Sequence, residues 1–139
     1  MTTPPFGGGQ FIADTSAHHR AGEARVRDSW IAAYEQGVLL TCLVVRFELL
    51  YGARNVNEFE ETERNLADLR DIPITISVQR AAMAAMRELA ARGEHRVKLS
   101  DLLVAAAAQE AGVGVLHFDG DYDLLATALA FESSWLLGT

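Results

Sequence analysis

Strand-length apolar runs alternating with helix-length stretches constrain this chain more than any other feature. The runs are QFIAD (10–14), VLLTCLV (38–44), IPITIS (72–77) and VGVLHF (113–118). VLLTCLV is almost wholly apolar, as a strand buried on both faces has to be. Between the first two runs, TSAHHRAGEARVRDSWIAAYEQG reads as one helix. Ala24, Trp30, Ile31 and Tyr34 recur at near-helical spacing, and Gly37 supplies the stop. VRFELLYGAR is a short helix following the second run. NEFEETERNLADLRD is an amphipathic helix with Phe59, Leu66 and Leu69 on its inner face. VQRAAMAAMRELAARG is a helix closed by Gly93, and EHRVKL is a loop. Ser100 stands where an N-cap belongs for DLLVAAAAQEAG, a helix apolar nearly all round and so expected to be buried. DGDYDLLATALA reads as a turn and helix, and SSWLLGT as a fifth, edge strand. Strands that alternate with helices imply an α/β class with a central, mainly parallel sheet of four to five strands.

A chain of 139 residues, half of them apolar, suits one domain with a proper core. Residues 1–9 hold two prolines and three consecutive glycines and are expected to be a flexible tail, leaving 10–139 as a single domain. The GGG is not a phosphate loop, because no strand precedes it and no Gly-Lys-Ser/Thr follows. No apolar stretch is long enough to span a bilayer, and the opening residues lack the pattern of a signal peptide. The single cysteine, Cys42, has no internal partner for a disulfide, so a reducing, cytoplasmic setting is expected. A formal charge of −7 argues against non-specific coating of nucleic acid, while leaving room for a local basic patch.

The acids carry the chemistry. Asp14 ends the first strand, and Glu48 lies in the helix after the second. Asp101 opens the helix before the fourth strand; Asp119 ends that strand, and Asp121 follows across a turn. Ligand sites of open parallel sheets form beyond the carboxyl ends of the strands, so these acids are expected to meet there. Neighbouring carboxylates disfavour one another's ionisation, and a hard divalent cation such as Mg²⁺ or Mn²⁺ resolves the conflict. Such ions suit phosphodiester hydrolysis, because they activate water and offset charge developing on phosphate. Asp123 is expected to be exposed on the first turn of the last helix.

FIADTSA, RFELLYGAR with its Glu48, VKLSDLLVAAAAQEAGVGVLHFDGDYDLLA and the closing SSWLL together resemble the PIN-domain ribonucleases, and within them the VapC-type toxins of bacterial toxin–antitoxin pairs. The resemblance spans 10–139. It implies a three-layer α/β/α fold and a Mg²⁺- or Mn²⁺-dependent endoribonuclease. By position, Asp14, Glu48, Asp101 and Asp119 match the family's acidic quartet and Asp121 its frequent fifth acid, while Thr15 and Ser16 match the hydroxyl residues that support the site. Ser100 stands where many relatives have proline, and Tyr122 where phenylalanine is commoner. The resemblance also implies a homodimer and a cognate VapB-type antitoxin, which commonly wraps a groove near the site and inserts a basic side chain among the acids.

For RNA, local positive charge is offered by Arg20, Arg25 and Arg27, and by Arg92, Arg96 and Lys98 with His95 just before Asp101. Arg20, Arg25, Arg96 and Lys98 are the candidate RNA-binding residues. His18 and His19 show no zinc-type spacing. Of the rival readings, an EF-hand fails, since Leu124 and Ala130 stand where its loop needs glycine and glutamate. A receiver domain would need an acidic pair after the first strand, where Asp14 is followed by Thr15 and Ser16. A phosphotransferase of haloacid-dehalogenase type would use the Asp119-x-Asp121 pair, but few residues follow it and none is lysine. A non-catalytic PIN-like binding module is the remaining alternative.

Overall fold

In the computed structural model, which describes residues 5–94 and 96–137, five strands form one sheet in the order β3-β2-β1-β4-β5. The strands are β1 (Phe11–Ala13), β2 (Leu39–Cys42), β3 (Arg70–Ile72), β4 (Gly114–His117) and β5 (Ser133–Trp135). Every neighbouring pair is parallel: Ile12 lies opposite Leu40 on one side and Val115 on the other, Thr41 opposite Asp71, and Leu116 opposite Ser134. The helices are α1 (Thr15–His18), α2 (Arg27–Glu35), α3 (Leu43–Tyr51), α4 (Val56–Leu66), α5 (Ile76–Ala91), α6 (Leu99–Ala111) and α7 (Asp121–Leu125).

Side chains of the central strands alternate between two core layers, as a period of two requires. Ile12, Leu40 and Val115 join a core with α3, α5, α6 and α7. Phe11, Ala13, Leu39 and Leu116 join another with Ala17 of α1, Ala33 of α2 and Leu66 of α4. This is the expected three-layer α/β/α arrangement. The α6 helix is the most enclosed: Leu102 and Val104 to Ala108 are all buried, and so is Asp101. At Gly114 a Cβ would stand 2.7 Å from Phe11 Cδ1 and 2.9 Å from the Glu132 carbonyl, so any other residue at the start of β4 would force its neighbours to shift.

The chain leaves β1 towards β2 and β3, then returns to build β4 and β5 on the other side of β1. The direction of winding reverses between β1 and β4, and a crevice at the carboxyl ends of those strands is the expected ligand site.

Several boundaries differ from the sequence expectation. The first long helix is two: α1 stops at His18, and the chain turns through i→i+3 bonds such as Arg20 N–H to Ala17 O and Glu23 N–H to Arg20 O. Gly22 falls in this stretch, where glycine disfavours helix, and Val26 is pinned in the core before α2 starts. Leu43 and Val44 belong to α3 rather than to the second strand. The third strand lies earlier than IPITIS: Pro73 has no N–H to continue the ladder, so β3 ends at Ile72, and Thr75 then caps α5 by accepting the Val78 N–H. Ser100 is inside α6, whose N-cap is Lys98. Phe59 is exposed rather than internal, whereas Leu66 and Leu69 are buried. Within the expected tail, Pro5–Gly7 form a single 3-10 turn, with Pro5 buried and Phe6 packed on the core beneath α2; residues 1–4 lie outside the described residues. The expected fifth strand is β5, with residues 138 and 139 outside the described set.

Candidate active site

Asp14 follows directly on β1 and is 3% exposed. It caps α1, and its Oδ2 accepts the Ser16 N–H at 3.1 Å and the Ser16 hydroxyl at 2.6 Å. The same Ser16 Oγ accepts the Phe118 N–H at 2.9 Å, which ties the end of β4 to the start of α1. Asp14 Oδ1 accepts the Tyr122 hydroxyl at 2.7 Å. Thr15 donates to Glu48 Oε1 at 2.9 Å and so holds the exposed Glu48 of α3 beside Asp14.

Asp101 enters from the first turn of α6 and is 4% exposed. Its Oδ1 lies 3.3 Å from the Tyr122 hydroxyl, while its buried Oδ2 has no hydrogen-bond partner among the described residues. Burial, reinforced by the charges of Asp14 and Asp119, pushes the Asp101 carboxyl up to about 8. Asp119 follows β4. Its Oδ1 accepts the Asp121 N–H at 3.0 Å and its Oδ2 the Lys98 ammonium at 3.0 Å. Burial works to raise Asp119, but the Asp121 N–H and Lys98 outweigh it and hold the carboxyl below its ordinary value. Asp121 Oδ2 accepts the Lys98 N–H at 3.3 Å.

One oxygen each from Asp101, Asp119 and Asp121 can be chosen so that all lie within 4.8 Å of one another. Carboxylate oxygens alone, with one buried oxygen unclaimed by any donor among the described residues, fit a hard divalent cation. Asp14 borders this triangle through the hydroxyl it shares with Asp101. Glu48 stands further out, joined to the group through Thr15.

The candidate RNA contacts divide. The Arg20 guanidinium stacks 3.8 Å over the Phe118 ring and pairs with Glu23. Arg25 and Arg96 are exposed. Lys98 points at Asp119, and that bond holds its ammonium above the usual lysine range. Arg27 is exposed at the start of α2, whereas Arg92 is turned to Thr127 and Glu88. His95 lies outside the described residues. Burial drives His18 down to about 4, against the pull of Asp14, so it is a neutral ring edge-on to Trp30.

Three partners in the site are absent from the sequence reading. The Tyr122 hydroxyl is one. His117 is another: its Nδ1 accepts the Asp119 N–H at 3.2 Å, so its proton sits on Nε2 and is donated to Ser133 Oγ at 2.7 Å. The third is a clasp on Asp123, which is exposed as expected but accepts Ser133 Oγ at 2.7 Å and Trp135 Nε1 at 2.9 Å. Tyr122 carried one available signal, a polar tip at the buried position three residues after Asp119.

Comparison with known proteins bears on the family and the fold. A family model described as PIN domain matches residues 11–128. A protein named Ribonuclease VapC18 from Mycobacterium tuberculosis is 35% identical over 130 residues, covering 91% of this chain and 95% of that one. Ribonuclease VapC51 from the same organism is 34% identical over 128 residues, covering 92% and 93%. Among solved structures, VapBC-5 from Mycobacterium tuberculosis, a member of the VapBC toxin–antitoxin family, superposes with a TM-score of 0.68 at 23% identity, covering 92% of this chain and 99% of that one. DNA-bound VapBC from Salmonella typhimurium superposes with a TM-score of 0.73 at 16% identity, covering 94% and 100%. At those identities the structural likeness speaks for the fold. The phosphotransferase alternative finds no support in these matches.

Proposed function

The chain belongs to the PIN-domain family, and on that premise we propose that it is a divalent-metal-dependent endoribonuclease, the toxin of a VapBC-type toxin–antitoxin pair. The observation that carries the reading is the meeting of carboxylate oxygens from Asp101, Asp119 and Asp121 within 4.8 Å of one another, with Asp14 alongside.

Mg²⁺, with Mn²⁺ as substitute, is the proposed ion, and when bound it supplies a polarised water and positive charge for the phosphate. Asp101, Asp119 and Asp121 would hold it, with Asp14 oriented from both sides by Ser16 and Tyr122. Glu48 is exposed, and Thr15 occupies Oε1. We assign its other oxygen, Oε2, to the acidic set that serves the ion. Arg20, Arg25, Arg96 and Lys98 form the proposed phosphate rim, supported by the stacked guanidinium of Arg20 beside the pocket. We read residues 10–139 as one domain, since a single sheet and its two flanking cores take up the described part of that range.

A VapB-type antitoxin and a second copy of the chain are the proposed partners. The first is supported by the VapBC complexes among the structural neighbours. The outer face of α3 supports a protein interface, with Leu43, Phe47 and Tyr51 spaced four apart and 39%, 62% and 82% exposed. A basic side chain from the antitoxin, set among the three aspartates, would neutralise them as a cation does. A purified complex that cleaves RNA as fast as the free protein would refute that plug.

The test of function is cleavage of a mixed pool of transfer and ribosomal RNA with Mg²⁺ or Mn²⁺, beside EDTA and Asp14→Asn controls. Discrete cuts that vanish in both controls are expected. Folded, antitoxin-free protein that leaves the pool intact would instead favour a non-catalytic PIN-like module.

A further inference from the structure

We propose that Tyr122 is a positioning residue of the acid pocket, its hydroxyl setting the spacing of Asp14 and Asp101 for a divalent cation. The inference rests on the metal-site reading above and adds a residue to it. Tyr122 is fully buried, and among the described residues its hydroxyl bonds two carboxylates: Asp14 Oδ1 at 2.7 Å and Asp101 Oδ1 at 3.3 Å. One O–H has one proton. The shorter bond donates it to Asp14, and the contact with Asp101 Oδ1 at 3.3 Å is the longer and weaker of the two.

The hydroxyl is held in place by ring packing. His117 lies 4.8 Å from the ring at 30°, and Phe131 stands edge-on at 6.4 Å. The hydroxyl is therefore fixed before any ion arrives. Ser16 grips Asp14 from the opposite side through Oδ2, so this carboxylate is clamped at both oxygens. At Asp101 the contact engages Oδ1 and leaves Oδ2 without a partner among the described residues, so that oxygen is free to take a cation. Asp14 is anchored by β1 and Asp101 by α6, and no direct bond links them; the tyrosine from α7 is the shared contact. Partners of this kind orient ligating carboxylates, and their removal typically weakens metal binding 10–100-fold.

The test uses the full chain stripped with EDTA. Mn²⁺ affinity is measured by calorimetry and by the signal of free Mn²⁺, for wild type and for Tyr122→Phe, which keeps the ring and removes the oxygen. The expected result is Mn²⁺ binding weakened about 10-fold or more, with the melting temperature in EDTA little changed. RNA cleavage should be lost at low Mn²⁺ and recovered at high Mn²⁺. Affinity within about twofold of wild type would overturn the proposal and leave the metal site standing. Wild-type protein that binds no Mn²⁺ would overturn both. If Tyr122→Phe does not fold, Tyr122→Phe/Asp101→Asn decides. Folding restored by neutralising Asp101 supports a hydroxyl that acts between the two acids, and a pair as unstable as the single variant refutes it.

Discussion

A carboxylic acid that is 4% exposed, beside two other acids and with one oxygen unsatisfied, prefers to keep its proton. Asp101 is raised in the folded chain to about 8 from an ordinary value of 3.8. The folded state therefore binds the extra proton between those values. The stability this proton confers is complete below the ordinary carboxylate value and is lost as pH rises towards 8. Urea unfolding of the metal-free protein should show a falling midpoint from pH 5.5 to 8.5. Saturating Mg²⁺ should abolish the fall, because the ion takes the proton's place, and Asp101→Asn should flatten it without metal. Lys98 acts in the other direction. Its ammonium sits 3.0 Å from Asp119 Oδ2, where it competes with a bound cation. Lys98→Met should tighten Mn²⁺ binding up to about fivefold, the scale of an exposed ion pair, while raising the KM for RNA. At this scale the sequence spoke through the spacing of its acids: Asp14, Asp101, Asp119 and Asp121 do converge. It marked Tyr122 only as a departure from phenylalanine and gave its hydroxyl no partner, because Asp14 lies 108 residues away.

Among the elements, the strands are legible where burial on both faces leaves an uninterrupted apolar run, as in β1, β2 and β4. The edge strand β3 is not, since its Arg70 and Asp71 are exposed and read as the end of a helix, while the apolar IPITIS beside it is broken by Pro73. Helix starts are similarly ambiguous. Ser100 is a favoured capping residue, but the Lys98 N–H is drawn to Asp121, and the helix begins around that bond. This registers Asp101 in the first turn, facing the acids of the following turn. Gly114 offers a direct check on sheet packing. Gly114→Ala places a methyl against the Phe11 ring and the Glu132 carbonyl, and should cost about 1–3 kcal/mol in urea unfolding, in keeping with an overpacked core.

For the whole molecule, alternation of strand and helix was enough to imply a parallel sheet, but strand order was not written in any local pattern. That order, with β1 between β2 and β4, sets Asp14 and Asp119 at the ends of adjacent strands. It also concentrates carboxylates at one rim of a chain whose formal charge is already −7. A cation that binds only the folded form should stabilise all of it. At about 100 times its dissociation constant, Mg²⁺ should add roughly 2.7 kcal/mol to the unfolding free energy. Substituting Asp101 or Asp119 by Asn should remove that increment together with RNA cleavage, and thermal melts with and without the ion would show it.

The clasp on Asp123 makes the edge of the sheet an optical gauge of the pocket. Trp135 donates to Asp123 and lies 4.9 Å from His117, whose Nδ1 receives the Asp119 N–H. The chain has one other indole, Trp30, on the opposite core face against His18. In a Trp30→Phe background the remaining emission comes from a fluorophore two contacts from a candidate ligand. Its spectrum should shift as Mg²⁺ is titrated in, so occupancy can be followed by light without adding a label or an RNA.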